Sequence, residues 1–298
     1  MKFDIDLKQL SFNIAVSIPK EHDKLFMDKE TRLIGRLPNI KSNFMGSDNP
    51  LSFEENRKKY GVDWKYHDSY ETLTYNYNRF GHRTEIDPFN PPDIWGLTVG
   101  CSMTEGQGLH TEDLWHQKLG IPVYNAGVGG AGNDLSFHNM HRMIRIARPT
   151  YIFFQLPFSH RYFFIKEDHI KIVGMWDVVS PITNHKDSVK ESIETNYDWS
   201  RTRIIVDAAQ TLADLAGSKI IFVDAYSELN VDHADHINHP ASRFRKNTNK
   251  FPPLSDINIV YEDMGTFDHN LDYDLARDCF HPGSTIHDRV ADKVKALM

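Results

Sequence analysis

The chain has 298 residues and a formal net charge of −7, from 34 Lys and Arg against 41 Asp and Glu. Basic side chains cluster only at residues 243–246, which argues against a nucleic-acid-binding protein because such proteins need a concentrated basic face. Two cysteines exclude a disulfide scaffold, and no run approaches the roughly 20 apolar residues that a membrane helix needs. The apolar stretch at residues 12–18 lacks the flanks of a signal peptide, so we expect a soluble and cytoplasmic protein.

Residues 1–92 are rich in aromatic side chains and turn signals and show no sustained helical period. We expect this region to be a β-rich extension that packs on the rest of the chain. Its aromatic side chains are interpreted as packing, although stacking on sugar rings stays open. The residues concerned are Tyr60, Trp64, Tyr66, Tyr70, Tyr75, Tyr77 and Phe80.

From about residue 93 the sequence alternates between apolar strand candidates and helical periods. This alternation predicts a mostly parallel sheet with helices on both faces and a ligand site at the carboxyl ends of the strands. The predicted strands are residues 94–99, 121–125, 151–154 and 219–223, and the predicted helices begin near residues 111, 133, 201 and 285.

Ser102 follows the first predicted strand of this region. Ser102 and Glu105 have the spacing of a capping box, in which the serine oxygen accepts a backbone N–H and the glutamate reaches back. A strand-to-helix turn is also where a serine nucleophile gains an exposed position and a nearby backbone N–H for developing negative charge. We expect Ser102 to do both.

Asp278 and His281 lie three residues apart, shortly before the last predicted helix. Taken alone, such a pair is often a helix cap with a surface histidine. A serine nucleophile, however, needs a base and a carboxylate that fixes the tautomer of that base. Together with Ser102, the pair predicts a catalytic triad.

On these motifs, residues 93–298 resemble the SGNH (GDSL-like) hydrolase family. The first block of that family is Gly-Asp-Ser-x-Thr-x-Gly, and here Cys101 replaces the aspartate. Gly130 matches the glycine of the second block. The other matching residues are Gly100, Ser102, Thr104, Gly106, Asp278, His281 and Pro282, with His287 and Ala291 in the helix that follows.

The resemblance implies a three-layer α/β/α, flavodoxin-like fold with a mostly parallel five-stranded sheet, preceded by the extension. It implies a serine esterase that needs no cofactor or metal, with Ser102 as nucleophile, His281 as base and Asp278 as orienting acid. Backbone amides of Ser102 and Gly130 would form the oxyanion hole. The expected partner is a short acyl ester on a small molecule or a carbohydrate, with no nucleic acid or membrane, and no oligomeric state is indicated.

The third family block, Gly-x-Asn-Asp, is not matched, and Ser159 stands where the asparagine amide usually helps to bind the oxyanion. Losing one such donor costs on the order of a hundredfold to a thousandfold in rate. Ser159, Arg161 or Asn133 could replace it, or backbone amides could act alone. The alternative is a catalytically silent SGNH-like protein that binds carbohydrate or serves in assembly.

Two further motifs suggest other functions. Residues 127–132 fit the GxGxxG pattern of dinucleotide sites, but no acidic residue follows the next strand, so we assign these glycines to tight turns and an oxyanion amide. Within residues 227–274, steps of three do not place histidines on one helical face, so we predict a polar loop near the site and no metal. The histidines are His233, His236 and His239.

The two cysteines flank the predicted triad, Cys101 beside Ser102 and Cys279 between Asp278 and His281. An assembled triad brings their backbones near each other. A disulfide needs Cα atoms within about 7 Å and side chains that face each other. Because neighbouring residues on a turn point in different directions, we expect two buried reduced thiols.

Overall fold

The computed structural model describes residues 24–165, 170–174, 186–195, 197–225, 257–261 and 274–298. The strands in these ranges, in chain order, are β1 (Phe26–Met27), β2 (Ile34–Gly35), β3 (Lys41–Ser42), β4 (Tyr75–Asn76), β5 (Gly96–Val99), β6 (Val123–Asn125), β7 (Tyr151–Leu156), β8 (Tyr162–Ile165), β9 (Ile170–Val173), β10 (Lys219–Asp224) and β11 (Ile259–Tyr261). The helices are α1 (Pro50–Tyr60), α2 (Ser102–Glu105), α3 (Asn133–Ile146), α4 (Lys186–Glu194), α5 (Tyr197–Ala216) and α6 (Ser284–Lys295).

The central sheet has five strands in the order β6-β5-β7-β10-β11, and every pairing between them is parallel. Ile152 in β7 pairs with Leu97 on one side and with Ile220 on the other, which fixes the register across the middle of the sheet. Numbered along the chain, the strand order is 2-1-3-4-5, the flavodoxin-like order. The turns after β5, β6 and β7 therefore meet at one edge of the sheet.

Side chains alternate between the two faces of the sheet because successive residues of a strand point in opposite directions. Ile152 and Phe154 pack in one buried cluster with α3 and α5, whereas Phe153 packs in a second cluster with α6. Burying each such large apolar side chain stabilises the fold by about 1.5–3 kcal/mol. The predicted three-layer α/β/α architecture with a five-stranded parallel sheet is confirmed.

The extension contains a helix that the sequence analysis did not predict. Helix α1 begins after Asn49, whose side chain accepts hydrogen bonds from the backbone N–H groups of Leu51 and Ser52, and Pro50 occupies the first helical position. Gly61 ends it with a positive φ of +72, which favours glycine. The sequence Asp48-Asn49-Pro50, one of the turn signals of this region, is thus a helix start. Within residues 24–92 the β-rich expectation is wrong, because strands β1 to β4 have only two residues each.

Other element boundaries also differ from the sequence prediction. The helix predicted from residue 111 is a pair of 3-10 turns, Thr111–Asp113 and Trp115–Lys118, because Leu114 between them has extended backbone angles. The aromatic side chains of the extension are buried as predicted at four positions, but Tyr60 and Tyr70 are 41% and 45% exposed. The four buried residues are Tyr66, Tyr75, Tyr77 and Phe80.

Two buried ion pairs join the extension to the α/β region. Arg36 Nε lies 2.8 Å from Glu105 Oε1, and Arg277 Nη2 lies 2.6 Å from Asp48 Oδ2, with all four side chains nearly inaccessible to solvent. Phe80 of the extension also packs in the cluster of α3 and α5. These contacts join Arg36, Asp48 and Phe80 to the α/β region, and the division of the chain into an extension (1–92) and a hydrolase domain (93–298) stays a prediction.

Most of the predicted polar loop at residues 227–274 lies outside the described residues. Among the residues that the structure describes, no helix is both long and apolar enough to cross a membrane.

Removing Arg36 should destabilise the protein strongly. Arg36→Met leaves the Glu105 carboxylate buried without its cation, which typically costs about 3–5 kcal/mol in the free energy of unfolding. Urea denaturation measures this change. Arg57→Met is the control, because Arg57 pairs with Glu54 on the solvent-exposed surface of α1 and should cost at most about 0.5 kcal/mol. Equal small losses in both variants would contradict the prediction.

Candidate active site

Ser102 is the first residue of α2, the single helical turn that follows β5. The buried side chain of Gln155, in the neighbouring strand β7, holds this turn in place. Its Oε1 accepts from the Cys101 N–H at 2.9 Å and from the Thr104 hydroxyl at 3.1 Å. Gly106 ends the helix in a left-handed conformation with φ +84, which favours glycine. The strand-to-turn connection thus fixes the backbone on both sides of Ser102.

Ser102, His281 and Asp278 form one continuous hydrogen-bonded chain. The Ser102 hydroxyl lies 2.7 Å from His281 Nε2, and His281 Nδ1 lies 2.6 Å from Asp278 Oδ2. All three side chains are buried. With the carboxylate accepting the Nδ1 proton, Nε2 faces the serine as a proton acceptor. The structure therefore brings together the three residues that the sequence motifs singled out.

A tight loop before α6 carries both Asp278 and His281, which are three residues apart. The other carboxylate oxygen, Asp278 Oδ1, accepts from the backbone N–H groups of Phe280 and His281, each at 3.0 Å. Cys279 between them has φ +51, a left-handed conformation that costs a non-glycine residue about 1 kcal/mol or more. The carboxylate thus organises the loop that carries the imidazole.

Asp278 is held in its ionised form. Burial alone would raise the pKa of its carboxyl group, but the adjacent His281 and the hydrogen bonds from His281 and Ser47 outweigh it and lower the pKa to about 2. At neutral pH the carboxylate therefore carries a full negative charge next to the imidazole.

The predicted capping box is wrong. The Ser102 hydroxyl bonds to His281, and Cys101 precedes the helix without a side-chain cap. Glu105 points away from Ser102: its Oε1 accepts from Arg36 and Tyr77, and its Oε2 from Gln107. Because α2 lasts only four residues, its glutamate is free to bind groups outside the helix.

The glycine-rich turn after β6 packs directly on α2. The Gly129 N–H donates to Glu105 Oε2 at 2.9 Å. A Cβ at Gly127 would lie 2.7 Å from the Glu105 backbone nitrogen, so glycine permits this close approach. Gly130 is half-buried with φ +82, a conformation that favours glycine. The role of Gly130 as an oxyanion donor stays a prediction.

The hydroxyl of Ser159 is engaged by another side chain, and its role as an oxyanion donor stays a prediction. Its buried hydroxyl donates its single proton to Asp198 Oδ2 of α5 at 2.8 Å. Asn133 is the first residue of α3 and not its cap, which is Gly132. The Asn133 amide donates to Thr202 in α5 at 3.1 Å, and Arg161 lies over the Phe158 ring. Ser159 and Asn133 thus both bind side chains of α5, and the sequence carried no signal for these partners.

Cys101 and Cys279 form no disulfide. Cys101 is buried as predicted, whereas Cys279 is only half-buried. Burial and the nearby Asp278 charge raise the pKa of the Cys279 thiol to about 12. Cys279 is therefore a thiol and not a thiolate nucleophile at neutral pH.

Among the described residues, no group of three or more His, Cys, Asp and Glu side chains could hold a metal ion. The histidines of the predicted polar loop, His233, His236 and His239, lie outside those residues.

No family model matches the chain, and no curated protein matches it. Known structures that it resembles include a lipolytic protein of the G-D-S-L family from Desulfitobacterium hafniense (13% identity over 69% of this chain and 100% of that chain, TM-score 0.41). The esterase EstA from Pseudoalteromonas shares 13% identity over 68% of this chain and 94% of its own, with a TM-score of 0.37. The acetyl xylan esterase AlAXEase shares 15% identity over 69% of this chain and 100% of its own, with a TM-score of 0.39. The likeness is one of fold.

Two buried neutral histidines bind the backbone near the site: His116 binds that of α2, and His287 binds that of the 3-10 turn Trp115–Lys118. His116 Nε2 donates to the Thr104 carbonyl of α2 at 3.1 Å, and His287 Nδ1 accepts from the Trp115 N–H at 3.0 Å. Burial lowers the pKa of each imidazole to about 3. An unfolded histidine takes up a proton near pH 6.5. The contribution of these two neutral imidazoles to the free energy of unfolding is therefore fully present above pH 6.5 and is lost as the pH falls from there toward 3.

The free energy of unfolding should fall by about 1.4 kcal/mol per pH unit for each of these histidines below pH 6.5. In His287→Asn the side-chain oxygen can still accept from Trp115 but no longer titrates. Between pH 7 and pH 5 this variant should lose about 2 kcal/mol less than the wild type in urea denaturation. An unchanged slope in His287→Asn would contradict the assignment.

Proposed function

We propose that the protein is a serine hydrolase that cleaves short acyl esters with Ser102, His281 and Asp278 as its catalytic triad. The observation that carries the proposal is the hydrogen-bonded chain from the Ser102 hydroxyl through both nitrogens of His281 to Asp278. Both distances lie within the range that nucleophilic catalysis requires of a serine and its base. The low pKa of Asp278 supports the role of an orienting anion.

In this mechanism the Ser102 oxygen attacks the ester carbonyl while His281 Nε2 accepts its proton. The imidazolium then gives that proton to the leaving alcohol, and Asp278 stabilises the positive charge without taking up the proton itself. A water molecule then attacks the acyl carbonyl while His281 Nε2 accepts its proton. The imidazolium returns this proton to the Ser102 oxygen, and the acyl group leaves as a carboxylic acid. These steps use only the three side chains and water.

The oxyanion would be bound by the backbone N–H groups of Ser102 and Gly130. Ser102 begins α2, and the first N–H groups of a helix have no acceptor within the helix. Gly130 follows Gly129, whose own N–H is tied to Glu105, so the turn is held in one position. Preorganised donors of this kind are usually the largest electrostatic contribution to acyl transfer.

The nature of the substrate is a narrower proposal. Phe280 is 50% exposed, and its ring lies 5.3 Å from that of His281, centroid to centroid. An exposed phenyl ring beside the base suits contact with an acyl chain or the apolar face of a sugar. We therefore favour short acyl esters, including O-acetyl groups on carbohydrate.

Ser102→Ala should abolish labelling by a fluorophosphonate probe and lower kcat for p-nitrophenyl acetate by at least about a thousandfold. The control is Ser188→Ala, at an exposed serine of α4, which should label and turn over like the wild type. A wild type that neither labels nor hydrolyses the ester would overturn the proposal and favour a catalytically silent, carbohydrate-binding or assembly protein.

Ser159→Ala should lower kcat by less than about tenfold, since its hydroxyl donates to Asp198 and not toward the nucleophile. Loss of a true oxyanion donor would cost about a hundredfold to a thousandfold. Initial rates with p-nitrophenyl acetate decide between the two, with thermal melting to account for the lost bond to Asp198. A hundredfold loss of kcat at an unchanged melting temperature would restore Ser159 to the oxyanion hole.

A further inference from the structure

A serine of the extension contacts the triad. The Ser47 hydroxyl lies 2.6 Å from Asp278 Oδ2, the same oxygen that binds His281 Nδ1, and 3.5 Å from that nitrogen. It also lies 3.1 Å from Gln107 Oε1. A hydroxyl has one proton, and the shorter contact to a charged acceptor is the stronger hydrogen bond. Ser47 therefore donates to Asp278.

The backbone around Ser47 is anchored on both sides. Met45 and Asp48 exchange backbone hydrogen bonds of 2.8 and 3.2 Å and so close a tight turn around Ser47. The Asn49 side chain donates to the Ser47 carbonyl at 2.9 Å. The Asp48 carboxylate binds Arg277, the residue immediately before Asp278. This arrangement ties the position of Ser47 to that of the triad acid.

We propose that Ser47 is a positioning residue of the catalytic triad, acting through Asp278. Its hydrogen bond orients the carboxylate so that Oδ2 faces His281 Nδ1, and it offsets part of the negative charge that the imidazole experiences. The inference rests on the function proposed above. It makes the extension a contributor to the active site.

The Gln107 side chain lies next to the same hydroxyl but does not share its proton. Gln107 Oε1 is an acceptor 3.1 Å from the Ser47 oxygen, so it forms no hydrogen bond with Ser47 while the Ser47 proton lies on Asp278. Gln107 donates instead through its Nε2 to Glu105. A change at Ser47 therefore acts on the triad acid directly.

The test compares Ser47→Ala, Ser47→Thr and Ser42→Ala in the full chain. Ser42 belongs to the same segment, and its hydroxyl donates to the Phe44 carbonyl at 2.6 Å, so it serves as the matched control. Ser47→Ala should lower kcat for p-nitrophenyl acetate about ten- to a hundredfold with KM within about threefold, the effect expected for a hydrogen bond to a charged group. Ser47→Thr, which keeps the hydroxyl, should recover most of this loss, and Ser42→Ala should keep the wild-type kcat.

The pH profile separates positioning from a merely structural role. Without the Ser47 proton, Asp278 presents more negative charge to His281, so the acidic limb of the kcat/KM profile should move to higher pH in Ser47→Ala. A wild-type kcat and profile in Ser47→Ala would overturn the inference. The inference would also be overturned if Ser47→Ala lowered both kcat and the melting temperature, Ser47→Thr did not restore kcat, and the pH profile did not move. If the wild type itself neither labels with fluorophosphonate nor hydrolyses the ester, the proposed function fails first and the inference with it.

Discussion

The buried carboxylate of Glu105 is the interaction on which both sides of the site depend. Taking a charge out of water costs several kcal/mol, which only close and well-aligned donors can offset. Arg36 supplies bonds of 2.8 and 3.1 Å, and Tyr77, Gln107 and the Gly129 N–H supply the others. Although burial acts to raise the pKa of Glu105, these partners lower it below its usual value. Since Glu105 lies three residues after Ser102, the carboxylate holds the turn that carries Ser102 and the glycine-rich turn against one another.

The extension provides much of what this arrangement needs. Arg36 and Tyr77 bind Glu105, and Asp48 binds Arg277 beside the loop that carries Asp278 and His281. A five-stranded parallel sheet brings the strand ends to one edge. It does not by itself fix the loops of Ser102 and His281 against each other, since these residues are 179 positions apart in the chain. Contacts from a third segment reduce the freedom of both loops before a substrate arrives. Preorganisation of this kind is what acyl transfer demands of its electrostatic groups.

The sequence predicted the sheet well, and its motifs singled out three residues that the structure brings together, because both follow from local patterns. Apolar runs rich in β-branched and aromatic residues mark buried strands, and the triad motifs are short and distinctive. The capping box failed because the same Ser-x-x-Glu spacing allows a glutamate to serve tertiary partners, and here Arg36, 69 residues away, competes for it. The pairing of Ser159 with Asp198 and of Ser47 with Asp278 spans 39 and 231 residues. No periodicity encodes such contacts, so only the folded structure reveals them.

Helix α1 was not predicted although Asn49 and Pro50 carried a helix-start signal, because its largely solvent-facing sequence has little apolar periodicity.

On the proposed mechanism, the pairing of Ser159 with Asp198 changes where oxyanion stabilisation must come from. With that hydroxyl engaged in α5, the burden falls on backbone N–H groups, whose direction depends on the conformation of the turns that carry them. The turn before Gly130 is oriented by Glu105, and Glu105 stays charged and buried because Arg36 lies beside it. A side-chain donor can be lost by one substitution at the site, whereas a backbone donor is lost only when its support moves. On this mechanism, substitution of the buried Arg36–Glu105 ion pair should therefore weaken oxyanion binding more than substitution of Ser159 at the end of β7.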